Sequence, residues 1–97
     1  MSKNNILNKI GMNIRLKGYW YWEEAIKICK TNKYFISSFP KMMTIYNQIA
    51  KKFDVTPESV ERCMRSARLN IKKLDEKMNI PYNIRNSTLL AWLIKEA

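Results

Sequence analysis

Apolar residues along the chain recur at spacings of three and four, and no alternation of apolar and polar residues persists beyond a few positions. The first pattern is typical of amphipathic helices, whereas alternation would indicate strands. Only two glycines and three prolines are available to interrupt helices. The pattern predicts an all-α fold, a compact bundle of five or six helices that contains a helix-turn-helix and forms one domain over residues 1–97.

Signals for helix ends divide this pattern into segments. We expect helices over about residues 4–13, 19–33 and 40–53, and a last helix from 86 or 87 to the terminus. A fourth helix begins at residue 57, with the recognition helix at about 57–70, and its apolar pattern allows it to continue as far as 78. The start of the fourth helix is marked best, because Thr56 is a good N-cap and Pro57 suits the first helical position. Ser38 is a candidate cap for the third helix, and Pro81 stops the fourth.

The fourth predicted helix has an apolar side and a charged side. The apolar stripe, expected to pack inward, consists of Val60, Cys63, Met64, Ala67, Ile71, Leu74 and Met78. The opposite side carries Arg62, Arg65 and Lys72, with Glu61 and Arg68 on one flank. Leu69 also points outward, between the arginines, and the core does not explain it. A face that is merely solvated would show the same pattern, so neighbouring segments must decide its role.

The segment IYNQIAKKFDVTPESVERC has the apolar spacing of a helix-turn-helix. Apolar residues stand where the two helices meet, namely Ile49, Phe53, Val55, Val60 and Cys63. Ala50 is small at the closest approach, and Asp54 tolerates the left-handed backbone that the turn needs. In this motif the second helix enters the DNA major groove, with its N-terminal residues at the base edges. Its outward residues form what we call the reading face: Glu58, Ser59, Glu61, Arg62 and Arg65.

The charge balance also favours a polyanionic partner. Eighteen Lys and Arg against eight Asp and Glu give a formal charge of +10. Such an excess favours nucleic acid or an anionic membrane, although it also serves solubility. No segment approaches the ~18 apolar residues of a membrane span, and none resembles an export signal. We therefore expect double-stranded DNA as partner, no membrane association and a cytoplasmic location.

Residue types that carry catalysis or bind metals are scarce. The chain has no histidine, and its cysteines, Cys29 and Cys63, are isolated. We expect both cysteines to be reduced core residues. A glycine-rich phosphate loop and a nucleophile elbow are missing from the sequence. The protein is therefore not expected to be an enzyme, and we expect no cofactor and no metal.

The aromatic run YWYW at residues 19–22 is expected to be mostly core. Trp20 is the exception, because it projects among Glu23, Glu24 and Lys27. A membrane-interface role for Trp20 is one alternative, which the two glutamates oppose. Stacking against single-stranded nucleic acid is another.

Taken together, KGYWYWEEAI and IAKKFDVTPESVERCMRSA resemble the C-terminal effector domain of stage zero sporulation protein A, the response regulator of endospore formation. That family carries a KGYxYLxEAI-like stretch, then IAKKY-like residues, then a TxxxVERAIRHA-like helix. The resemblance covers roughly residues 8–70 and fades after about Asn70. It implies an all-helical domain that binds promoter DNA, often as adjacent copies on repeated sites.

Carried across, the VERxxR match implies base contacts for Glu61, Arg62 and Arg65. Arginine can donate two hydrogen bonds to guanine, and glutamate can accept one from cytosine. Ser59 stands where the family has an arginine, and Ser66 stands where it has a histidine, so the preferred sequence is expected to differ. The family's domain follows a phosphorylatable receiver, for which this chain has no room, so we expect a free-standing effector domain that is not switched by phosphorylation.

The sequence thus predicts a transcriptional regulator, and the expected phosphate contacts are Lys51, Lys52, Arg68 and Lys72. A single helix reads few base pairs, so we expect a second copy on an adjacent half-site. Leu69 would contact that copy or the C-terminal helix of its own chain. The alternative is a protein-interaction module of the same fold that binds or antagonises a full-length regulator or an RNA polymerase subunit, in which Trp20 and Leu69 matter more than Arg62.

Overall fold

The computed structural model describes residues 6–31, 41–78 and 84–96, and all regular structure within these ranges is helical. The helices are α1 (Ile6–Lys9), α2 (Lys17–Thr31), α3 (Met42–Phe53), α4 (Pro57–Leu69), α5 (Leu74–Met78) and α6 (Asn86–Glu96). The all-α prediction is confirmed. The candidate cap Ser38, the predicted helix start at Pro40 and the predicted stop at Pro81 lie outside the described residues.

One apolar core joins the helices. Its largest fully buried side chains are Trp22 and Cys29 on α2, Ile45 and Ile49 on α3, Val60 and Met64 on α4, and Leu89, Leu90 and Leu93 on α6. The predicted inward stripe is confirmed, since Ala67, Ile71, Leu74 and Met78 are buried as well. Cys63 is half-buried at the edge of this core. Burial of one side of α4 leaves its opposite side facing solvent.

The helix that begins at Pro57 ends at Leu69, close to the predicted range 57–70. It does not continue to Met78, as its apolar pattern allowed, because the chain turns between α4 and α5. The N–H of Asn70 donates to the Ser66 carbonyl, and the N–H of Ile71 donates to the Arg68 carbonyl at 3.1 Å. Lys73 then adopts a left-handed backbone with φ 55°. A regular helix cannot continue through such a residue. The apolar residues after the turn are nevertheless buried, because α5 packs its apolar side against the same core.

The first helix is also shorter than the predicted range 4–13. It ends at Lys9, and Gly11 has a positive φ of 89°, which glycine adopts at little cost. The N–H of Met12 donates to the Leu7 carbonyl at 3.0 Å. The ammonium group of Lys77 on α5 donates to the Ile10 carbonyl at 2.8 Å. A distant lysine therefore satisfies a backbone group at this helix end.

The connection between α3 and α4 follows the predicted turn chemistry. Asp54 has a left-handed backbone with φ 57°, and the N–H of Val55 donates to the Ala50 carbonyl at 3.0 Å. The Thr56 hydroxyl caps α4 by accepting from the Ser59 N–H at 3.1 Å. This tight turn between two helices is typical of a helix-turn-helix. The expected left-handed residue and N-cap are confirmed.

Phe53 is not buried, although the sequence predicts that it packs where α3 and α4 meet. Its side chain is 39% exposed, and its ring meets that of Tyr21 on α2 edge to face, with centroids 5.1 Å apart. Aromatic rings favour this arrangement because the positive edge of one ring meets the negative face of the other. Phe53 thus closes the contact between α2 and α3.

Helix α2 crosses α4 at very short range. A Cβ atom placed on Gly18 would lie 2.2 Å from the Cys63 carbonyl oxygen and 2.7 Å from the Ala67 Cβ. One turn further along, the indole Nε1 of Trp22 donates to the Met64 carbonyl at 2.9 Å. A glycine and a buried tryptophan therefore fix α4 against α2.

Candidate nucleic-acid interface

The reading face lies in the N-terminal two-thirds of α4. Glu58, Arg62 and Arg65 are exposed, whereas Ser59 and Glu61 are half-buried. A carboxylate oxygen of Glu61 lies 3.6 Å from Nη1 of Arg65, one helical turn away. Such an exposed pair contributes little to stability, about 0.3 to 0.5 kcal/mol, so Arg65 is easily released to another acceptor. The structure therefore presents two arginines on one solvent-facing side.

An open groove of about 550 Å³ runs along this side of α4. Its lining residues are Arg62, Arg65, Ser66, Leu69, Asn70 and Lys72. Three of them are cationic and none is a carboxylate, so the groove favours an anionic partner. Leu69 is 69% exposed within this lining, which confirms that it points outward. So high an exposure is incompatible with cover by the C-terminal helix of its own chain.

Three of the expected phosphate-binding residues are exposed lysines. Lys51 and Lys52 lie in the last turn of α3, and Lys72 lies in the turn after α4. The ammonium group of Lys52 forms an ion pair with Glu24 of α2 at 2.9 Å. About half of the Lys52 side chain stays exposed, so this pair is weak and Lys52 can exchange Glu24 for a phosphate.

Arg68 is placed differently from the other expected phosphate contacts. It is half-buried, its Nε donates to Oδ1 of Asn86 at 2.9 Å, and its Nη1 donates to the Ile84 carbonyl. Partial burial lowers the pKa of the Arg68 guanidinium, and the charge of Arg65 lowers it further. Arginine nevertheless keeps its charge at neutral pH. Two of its donor groups thus face α6 and the residues that precede it.

Asn86 connects three helices, a role that the sequence did not reveal. The sequence places it only at the start of the last helix, but it is buried, with 6% of its surface exposed, at the first position of α6. While its carbonyl accepts from Arg68, its amide nitrogen donates to the Tyr46 hydroxyl of α3 at 3.1 Å. We call Tyr46, Arg68 and Asn86 the anchor cluster. It fixes the C-terminal end of α4 against α3 and α6.

We expect Asn86→Ala to lower the free energy of unfolding by about 1 to 3 kcal/mol, because it leaves buried polar groups unsatisfied. Urea unfolding followed by circular dichroism measures this loss. Asn47→Ala on the exposed side of α3 is the matched control and is expected to change little. Asn86→Asp is expected to recover part of the loss, since a carboxylate also accepts from Arg68. Equal stability of the two alanine variants would show that the anchor cluster contributes nothing.

The aromatic run and the cysteines follow the sequence predictions with one difference. Tyr21 and Trp22 are buried, and Trp20 is 46% exposed, as expected. Both cysteines are free. Burial raises the pKa of the Cys29 thiol to about 11, which makes it a poor nucleophile. Cys63 is only half-buried, because it borders the crossing of α2 over α4.

An all-helical domain with a tight helix pair and a cationic surface that faces solvent is typical of helical DNA-binding domains. The chain matches the family model described as "Sporulation initiation factor Spo0A C terminal" over residues 4–96, and it therefore belongs to that family. The resemblance first seen in KGYWYWEEAI and in the VERCMR segment is confirmed. It extends past Asn70, where the similarity had been expected to fade.

Membership of this family defines the general activity. It is a family of DNA-binding effector domains of a sporulation response regulator, and not an enzyme family. Within the part of the chain that the structure describes, each helix is too short or too polar to cross a membrane.

Proposed function

We propose that this protein is a sequence-specific transcriptional regulator that places α4, its recognition helix, in the major groove of double-stranded DNA in the cytoplasm. The observation that carries the proposal is the pair Arg62 and Arg65. Both side chains are exposed on a helix whose opposite side is anchored in the core and whose start is fixed by the Asp54 turn and the Thr56 cap. A rigid helix with one free basic side suits the major groove.

The reading face supplies chemistry that matches base edges. Arg62 and Arg65 can each donate two hydrogen bonds to a guanine, and Glu61 can accept one from a cytosine amino group. The loose contact between Glu61 and Arg65 leaves both side chains available for such partners. Glu58 and Ser59, in the first turn of α4, lie at the end that enters the groove.

Phosphate contacts fix the helix on the duplex. We assign them to Lys51 and Lys52 at the end of α3 and to Lys72 at the end of the groove. Arg68, which the sequence had placed in this group, serves in our proposal mainly to hold α4, because its hydrogen bonds go to Asn86 and Ile84. A second copy on an adjacent half-site, or a contact with a full-length regulator or RNA polymerase, belongs to the same proposal.

Substitutions on the reading face test the proposal. We expect Arg62→Ala and Arg65→Ala each to cost about 1 to 3 kcal/mol on a duplex selected by the protein from a random pool, because a bidentate base contact is lost. Binding to unselected duplexes is expected to fall much less. Fluorescence anisotropy with both kinds of duplex, at one salt concentration, measures the two affinities.

Two controls separate base contacts from charge. Lys52→Ala is expected to weaken binding to selected and unselected duplexes alike, because phosphate contacts carry no sequence information. Lys27→Ala removes the same charge from the exposed side of α2, far along the chain from the reading face, and is expected to change little. If the arginine variants reduce both affinities equally, the assigned reading face is wrong.

A further inference from the structure

A stripe of four residues runs along the outward side of α4 and extends one turn beyond the last residue of the reading face. At 100° per residue, Glu58, Arg62, Arg65 and Leu69 fall within an arc of roughly 60°. Leu69 follows Arg65 by one turn, which places it about 6 Å further along the helix axis. It lines the same groove as Arg62 and Arg65. The stripe thus ends in an apolar side chain on the same side of α4 as the two arginines.

The exposure of Leu69 leaves its apolar surface free to contact a partner outside the chain. At 69%, it is the highest value among the large apolar side chains that the structure describes as exposed. Its surroundings are cationic, with Arg62, Arg65 and Lys72 lining the groove and no carboxylate among the lining residues. The partner that fits this lining best is anionic overall and offers an apolar group at the depth of the arginine side chains.

Duplex DNA has one apolar group that meets this description. The C5-methyl group of thymine projects into the major groove, among base edges that otherwise present hydrogen-bond donors and acceptors. A second copy of the chain is a poorer partner for this surface, because it would bring a second positively charged molecule, with a formal charge of +10, against the cationic groove.

We propose that Leu69 is a specificity-determining residue that contacts the C5-methyl group of a thymine. The displacement of about 6 Å along α4 places this thymine beyond the position read by Arg65, towards the C-terminal end of the helix. Lys72, at the end of the same groove, holds the adjacent phosphate. This inference rests on the proposed function, because it requires α4 to lie in the major groove.

Selection from a random duplex pool with the wild-type protein and with Leu69→Ala tests the inference. The wild-type selection is expected to contain a thymine on one side of the guanines that the arginines read, and the Leu69→Ala selection is expected to lose this preference. Thermal unfolding serves as the fold control. The substitution should leave it unchanged, since the Leu69 side chain lies mostly in solvent.

Replacing that thymine by deoxyuridine removes only the methyl group. Wild-type binding to the substituted duplex is expected to weaken about fourfold, which corresponds to about 0.8 kcal/mol for one buried methyl group. Leu69→Ala is expected to bind the two duplexes equally. Substituting the other thymines of the selected duplex in turn shows whether the sensitivity is confined to one position.

Three outcomes would overturn the inference, and they identify different errors. In the first, the wild-type protein is insensitive to uracil at every position, while Arg62→Ala still relaxes the sequence preference. This result removes the role of Leu69 and leaves the proposed function intact. In the second, Leu69→Ala no longer occupies a duplex with two half-sites as two copies together, but keeps the uracil sensitivity of the wild type on one half-site. This result assigns Leu69 to a contact between copies. Selection of no preferred sequence by the wild-type protein refutes the proposed function itself.

Discussion

Replacing Gly18 by alanine is expected to lower the free energy of unfolding by about 3 kcal/mol, the upper end of the usual cost of overpacking. The added Cβ would lie 2.2 Å from the backbone carbonyl oxygen of Cys63 and 2.7 Å from the Ala67 Cβ. A backbone atom cannot rotate away as a side chain can, so α2 and α4 must separate. For a domain of this size the loss corresponds to a drop of roughly 12 to 24 °C in the unfolding temperature.

The sign of this change distinguishes packing from helix propensity. In a helix where nothing lies close, glycine to alanine stabilises by roughly 0.5 to 1 kcal/mol. Thermal unfolding of Gly18→Ala followed by circular dichroism measures the sign, and Lys17→Ala, at the exposed neighbouring position of α2, is the control. A Gly18→Ala variant as stable as the wild type would show that the two helices do not meet as closely as described.

The second large effect concerns salt. Binding to duplex DNA is expected to weaken by roughly two to three decades between about 50 and 200 mM salt, as four to six phosphate-bound counterions are released. Lys51, Lys52 and Lys72 supply three of the charges, and Arg62 and Arg65 also lie against the duplex in the proposed complex. Anisotropy titrations at four salt concentrations yield the slope of log affinity against log salt.

Charge-matched double variants assign this slope to a surface. Lys51→Ala with Lys52→Ala is expected to reduce its magnitude by about two, because each phosphate contact contributes close to one. Lys27→Ala with Lys30→Ala removes the same charge from exposed positions of α2 and should leave the slope near the wild-type value. A flat salt response of the wild-type protein would contradict DNA binding through this cationic surface.

The local features of the fold could be predicted where a residue type determines its own backbone. Thr56, Pro57 and Asp54 did so, since capping, a fixed φ and tolerance of a left-handed conformation are properties of single residues. The end of α4 could not be predicted in this way. Lys73 adopts a left-handed backbone without being glycine or asparagine, and the spacing of Ile71, Leu74 and Met78 is the same for a bent path as for a straight helix.

Which residues of the candidate site face solvent could be predicted on the outward side of α4, but not at its flank. A helical wheel places Arg62, Arg65 and Leu69 outward from sequence spacing alone, and their exposure agrees. The wheel cannot show which neighbouring helix covers the flank. Arg68 finds its acceptors 16 and 18 residues away along the chain, at Ile84 and Asn86, and such pairs depend on how α6 packs.

The hydrogen bond from the Trp22 indole to the Met64 carbonyl limits how α4 can open. In an α-helix this carbonyl also accepts the N–H four residues later, so it is held both within α4 and by α2. Opening the middle of α4 therefore requires breaking a contact with a fully buried tryptophan. Backbone amides at the centre of α4 should then exchange with deuterated solvent through the same unfolding event as those of α2, and not through local fraying.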